Sequence, residues 1–197
     1  MARLYGEQDT SRKTAFKLIE QVVNGYGVKW LAWLLGNHDL WTGEGNPLDY
    51  IVGRQVTPDN WQARITLKFP NDVKSKVWIA HDFPGHSQWN PNHALGKREK
   101  EFGLADMYVA GHKHTFEAHE RYNPYHDRIA HLVRVSGYKE DDEYSEKLGY
   151  FPNLVGSSVL AIYNPKASTK YGLIKVFHDL EEGADYLTYL RKIKRFA

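Results

Sequence analysis

Met107-Tyr108-Val109-Ala110-Gly111-His112-Lys113-His114 reads as a short apolar strand that runs into a glycine and then two closely spaced histidines. The same arrangement recurs twice upstream. Val77-Trp78-Ile79-Ala80 runs into His81-Asp82, and the apolar run Trp30–Leu35 runs into Gly36-Asn37-His38-Asp39. Strands that are apolar throughout are buried on both faces and need a neighbour on each side. In open α/β sheets, ligands bind at the carboxyl ends of the strands, where the loops converge on one crevice. Glycine at Gly36 and Gly111 lets the backbone turn sharply and approach a small ion.

Chance does not account for the pair of longer strings. From the composition of this chain, Gly-Asn-His-Asp is expected ~0.003 times and Gly-His-x-His ~0.04 times, whereas His81-Asp82 alone carries little weight.

Around these segments, Thr10 or Ser11 can cap a helix with Ala15, Phe16, Leu18, Ile19, Val22 and Val23 on one face, closed by Gly25 and Gly27. Thr42–Asp49 is a loop. Ile65, Leu67 and Phe69 alternate with Thr66 and Lys68, which predicts a half-buried strand before the turn Pro70-Asn71-Asp72. Lys97–Phe102 and the charged Glu140–Leu148 read as helical. Short strands follow at Leu132–Val135, Ser158–Ile162 and Leu173–Phe177, and a basic helix spans Tyr186–Arg195. Helix, buried strands and further strands together indicate an α/β fold with mixed sheets.

The chain has 197 residues, enough for one domain with a core that needs no disulfides. With no cysteine, thiolate zinc sites and cysteine nucleophiles are excluded. Lys and Arg number 26 against 24 Asp and Glu, a net charge of +2, which argues against a nucleic-acid coat or an acidic tail. The first thirty residues hold no apolar stretch of signal-peptide length, and Trp30–Leu35 is too short to cross a bilayer. A soluble, cytoplasmic chain without a membrane partner is therefore expected.

The three ligand-bearing segments resemble the calcineurin-like metallophosphoesterases. In that family Gly-Asn-His-Asp/Glu, a single histidine after a strand, and Gly-His-x-His follow one another, as Gly36–Asp39, His81 and Gly111–His114 do here. The resemblance implies two mixed β-sheets packed as a sandwich with flanking helices. It implies that Asn37, His81 and His112 ligate one divalent metal (Mn, Fe, Zn or Ni) and that His114 ligates a second. It further implies that His38 protonates the leaving group, with Asp39 orienting its imidazole. The reaction implied is hydrolysis of a phosphomonoester or phosphodiester by in-line attack of a metal-bound hydroxide. The substrate is a small molecule or nucleotide, with nucleic acid also open.

The family's two earlier signatures, Asp-x-His and Gly-Asp-x-x-Asp, do not occur upstream of Gly36. In a complete member they supply a histidine, an aspartate and a bridging aspartate. The resemblance therefore covers roughly Thr10 to Thr115. It implies a single domain over residues 1–197 that is amino-terminally incomplete, lacking the first strands. Such a chain is a fragment, a product of a misplaced start, or half of a split enzyme completed by an amino-terminal fragment. Four neutral donors facing two dications leave their repulsion uncompensated. The alternatives are accordingly a non-catalytic remnant acting as a binding or complementing module, and a mononuclear site of His81, His112 and His114.

The remaining features have plainer readings. His86 and His93 read as solvated loop histidines, and His119, His126, His131 and His178 as surface or structural residues. Trp33, Trp41, Trp61, Trp78 and Trp89 are expected to fill a core or its margin rather than stack on a base. Arg191, Lys192, Lys194 and Arg195 read as a solvated helix face.

Overall fold

The computed structural model describes residues 12–37, 61–85, 87, 89–137 and 159–193. The chain divides into two compact units, Met1–Trp61 and Gln62–Ala197.

In the first unit, helix α1 spans Arg12–Gly25. Its expected apolar face is present in sequence but largely uncovered: Val23 is buried, whereas Leu18, Ile19 and Val22 are exposed. The expected strand at Trp30–Leu35 does not form, and only an isolated bridge occurs, at Leu34. The local contacts explain the difference. The Trp30 and Trp33 rings meet with centroids 4.6 Å apart. Residues three apart on a strand point to opposite faces, so that contact is incompatible with a regular strand. In addition, the Trp30 indole N–H donates to the carbonyl of Val23 at 2.8 Å. A carbonyl in the last turn of a helix has no intrahelical partner, and the tryptophan satisfies it.

The second unit is built on a five-stranded mixed sheet. Its strands are β1 (Gln62–Lys68), β2 (Lys74–Ala80), β3 (Met107–Ala110), β4 (Glu117–Asn123) and β5 (Arg128–Arg134), in the order β1-β2-β3-β5-β4. The central strands β2, β3 and β5 run parallel, and the outer strands β1 and β4 are antiparallel to their neighbours. Strand alternation divides the side chains between two faces. Trp78, Ala80, Tyr108, Ala110, Ala130 and Leu132 meet Ala94 and Leu95 of helix α2 (His93–Phe102) on one face. Val77, Met107 and Val133 meet Ala161, Tyr163 and Val176 on the other.

Those last residues belong to a second sheet, β6 (Leu160–Tyr163) paired antiparallel with β7 (Ile174–Phe177). The fold of this unit is thus α/β with two sheets packed face to face. This agrees with the α/β, two-sheet expectation; among the described residues the larger sheet is mixed and the second is an antiparallel pair. Helix α3 (Leu180–Lys192) covers it, with Tyr186 against Phe177 at 5.3 Å.

Two helices begin earlier than the sequence suggests. Helix α3 is capped by Asp179, whose carboxylate accepts the N–H of Glu182 at 2.8 Å. Gly183 masks that first turn in the sequence. A Cβ there would lie 2.6 Å from Leu160 Cδ2, so the glycine marks close approach of helix to sheet. Among the tryptophans, Trp78 lies in the core, between Arg64 at 4.1 Å and Arg98 at 5.5 Å. Trp61 is 45% exposed, and Trp89 is 94% exposed, which corrects for Trp89 the expectation that these tryptophans fill a core or its margin. Both sit in segments outside any helix or regular strand that could press them against a layer. The expected helix Glu140–Leu148 lies outside the described residues, as do Trp41, Lys194 and Arg195.

Candidate functional site

The parallel strands bring two of the three predicted ligand segments, those at His81 and at Gly111–His114, to one edge of the sheet. Ala80 pairs in register with Ala110, and Ala110 with Arg134, so the three strands end level. The chain then continues as His81-Asp82 from β2, Gly111–His114 from β3 and Val135-Ser136-Gly137 from β5. The ladder extends one step into these loops. Gly111 N–H donates to the carbonyl of His81 at 3.2 Å, and Val135 N–H donates to that of Ala110 at 2.9 Å.

At this edge the imidazoles of His81 and His112 meet edge to face, with centroids 4.6 Å apart and planes at 63°. His112 has φ 68° and His114 φ 55°. Both are left-handed conformations that ordinary residues avoid, at a cost of order 1–3 kcal/mol each. Burial holds the pKa of His112 below the usual histidine value, and the neighbouring charges of His81, Lys113 and His114 push the same way, while Asp82 opposes them. A neutral imidazole keeps one nitrogen lone pair for a metal or a hydrogen bond.

Asp82 is engaged elsewhere. Its Oδ1 accepts the Phe83 N–H at 2.9 Å and both terminal nitrogens of Arg134 at 3.1 Å. Its Oδ2 lies 3.8 Å from Lys113 Nζ. The Arg134 side chain is only 2% exposed. It also donates from Nε to the carbonyl of Pro91 at 2.6 Å and from Nη1 to that of Gly111 at 2.7 Å. Sequence reading missed this arginine. The signal available was a charge directly after the apolar pair Leu132-Val133, at the end of a strand.

The imidazole of His114 lies over Gly137, where a Cβ would come within 3.0–3.2 Å of the ring. Asn37 is a half-buried turn residue of the first unit. His38 and Asp39 lie outside the described residues, and so does His86. His93 is exposed at the start of α2. The other histidines serve the fold. His131 is buried on β5, His119 Nδ1 lies 3.3 Å from Asn92 Nδ2, and His178 stacks on Phe116 at 4.9 Å. His126 donates its backbone N–H to Asn123.

Among the described residues, no group of three or more His, Asp or Glu gathers in a way that could hold a metal ion. Of the four expected ligands, the structure brings two rings, His81 and His112, into contact. Two imidazoles fit part of the coordination shell of a borderline cation, for which imidazole is a natural ligand. The nearby carboxylate, Asp82, is already compensated by Arg134 and Lys113. No helix of the described residues is long and apolar enough to cross a membrane.

No family model matches the chain, and no curated protein matches it. Among solved structures, similarity is found to wild-type Vps29 from Entamoeba histolytica complexed with Zn²⁺, at 13% identity. The likeness covers 79% of this chain and 76% of that one, with a TM-score of 0.32. A likeness that slight does not assign the chain to a family.

Proposed function

We propose that this chain belongs to a metal-dependent phosphoester hydrolase and carries the later part of its site. The observation that supports the reading best is the contact of His81 with His112 at the carboxyl ends of adjacent parallel strands. The strings Gly36–Asp39 and Gly111–His114 support it independently, because such strings are rare by chance.

In this reading His81 and His112 share one divalent cation, Mn, Fe, Zn or Ni. His114 contributes to a second. A cation bound there supplies Lewis acidity to a phosphoryl oxygen and to water. His38 gives its proton to the departing oxygen, and Asp39 orients the ring. A histidine titrating near neutral pH suits that task. The substrate is a phosphomonoester or phosphodiester, and the compartment proposed is the cytoplasm.

Hydrolysis of a chromogenic phosphodiester with added Mn²⁺ tests the proposal. Turnover that disappears in His38→Gln while the cation stays bound supports His38 as the acid. Unchanged turnover refutes that role. One observation favours a second reading, a non-catalytic or complementing module: Asp82, the carboxylate that follows His81, is committed to Arg134 and Lys113. Cation binding without turnover in the chain alone supports this second reading. Restoration of turnover by a second chain carrying Asp-x-His and Gly-Asp-x-x-Asp identifies the complementing form.

A further inference from the structure

We infer that Arg134 is a positioning residue, a buried fork that holds the His81 and His112 loops at the spacing the proposed cation site requires. Its importance for cation binding rests on the function proposed above. Its effect on the two rings does not.

The register explains why an arginine stands here. Arg134 ends the row of β5 that carries Ala130 and Leu132, residues packed on the α2 face of the sheet. An apolar side chain would extend that row. The guanidinium instead reaches three segments that lie beyond the regular strands. It binds the carboxylate of Asp82, the residue after His81. It binds the carbonyl of Gly111, the residue before His112. Through Nε it binds the carbonyl of Pro91, just ahead of α2. A planar fork with five donors can serve several acceptors at fixed angles, which a lysine cannot.

Burial makes the arrangement demanding. A charge this enclosed is tolerated only when paired and fully hydrogen-bonded, and Asp82 supplies the counter-charge. Both loops that carry the ring pair are therefore tied to one rigid group. The backbone bond from Gly111 to the His81 carbonyl fixes the main chains, and Arg134 fixes the residues on either side of the rings. Partners of this outer kind typically change metal affinity by about 10- to 100-fold when removed.

The test uses the full chain without metal, then with Co²⁺ alone as a probe. Arg134→Met removes the fork and leaves Asp82 opposite Lys113. The double variant Arg134→Met/Asp82→Asn removes the Asp82 charge as well, and takes over the test if the single variant does not fold. In the unaltered chain, ring protons of His81 and His112 show a mutual nuclear Overhauser effect. In a folded variant, with the amide spectrum of β2, β3 and β5 kept, that effect is lost and Co²⁺ binds at least tenfold more weakly. Persistence of the ring contact in a folded variant overturns the inference. If the contact is lost in the variant but the unaltered chain binds no Co²⁺, the positioning role stands and the metal reading falls.

Discussion

The rings of His81 and His112 lie 4.6 Å apart although helix α2 intervenes between them in the chain. Parallel pairing produces this proximity. Strands β2 and β3 are joined by a crossover and end level, so the residues that follow each strand emerge side by side. The strained backbone at His112 and His114 then turns their loop over the edge of the sheet.

Stability should fall in mild acid. His131 is 3% exposed, and burial holds its pKa below the usual histidine value, an effect only partly opposed by Glu120 and Asp106. The unfolded chain therefore takes up a proton near pH 6.5 that the folded chain does not. The stability tied to this group is complete above that pH and is lost as the pH falls toward the folded value. The slope for one proton is at most about 1.4 kcal/mol per pH unit. Urea unfolding across pH 5–8 should show this loss, reduced in His131→Gln. Part of the slope should persist, because His112 is shifted in the same direction. A slope unaltered by the substitution would exclude His131 as its source.

Gly103→Ala should destabilise the protein. The residue closes α2 with φ +51° and donates its N–H to the Glu99 carbonyl at 2.7 Å. A left-handed alanine costs roughly 1–2 kcal/mol. A Cβ there would also lie 2.6 Å from the His126 ring. The double variant Gly103→Ala/His126→Ala should therefore recover the steric part of the loss and not the conformational part. Equal stability of Gly103→Ala and the unaltered protein by chemical denaturation would contradict both contributions.

Much of the second unit is legible in the sequence because its strands are apolar. Met107–Ala110 and Val77–Ala80 announce themselves by composition, and β1 by alternation. Strand β4, Glu117-Ala118-His119-Glu120-Arg121-Tyr122-Asn123, carries no such pattern. It is an edge strand held by its ladder to β5, and charge on an edge is protective rather than anomalous. Trp30–Leu35 errs the other way. Its composition suits a buried strand, but its tryptophans pack on each other and Trp30 bonds to the end of α1. At the site, the histidines stand out by spacing. Arg134 does not, because its importance comes from three acceptors that only the folded chain brings together.

Gly137→Ala should shift the ring of His114 and spare the rest of the site. The added methyl would lie 3.0–3.2 Å from that ring, tighter than ordinary contact, while His81 and His112 are not among its nearest neighbours. Histidine ring resonances should therefore move for His114, with the His81–His112 contact retained. An unmoved His114 resonance would show that its ring does not rest on Gly137.

Titration of the full chain with Mn²⁺ or Zn²⁺ by calorimetry, alongside the His81→Ala/His112→Ala variant, reports whether the two rings bind a cation. A saturable cation site is expected in the unaltered chain, with affinity reduced at least a hundredfold in the double variant at unchanged fold. Equal binding by the two proteins, or no binding by either, would contradict it.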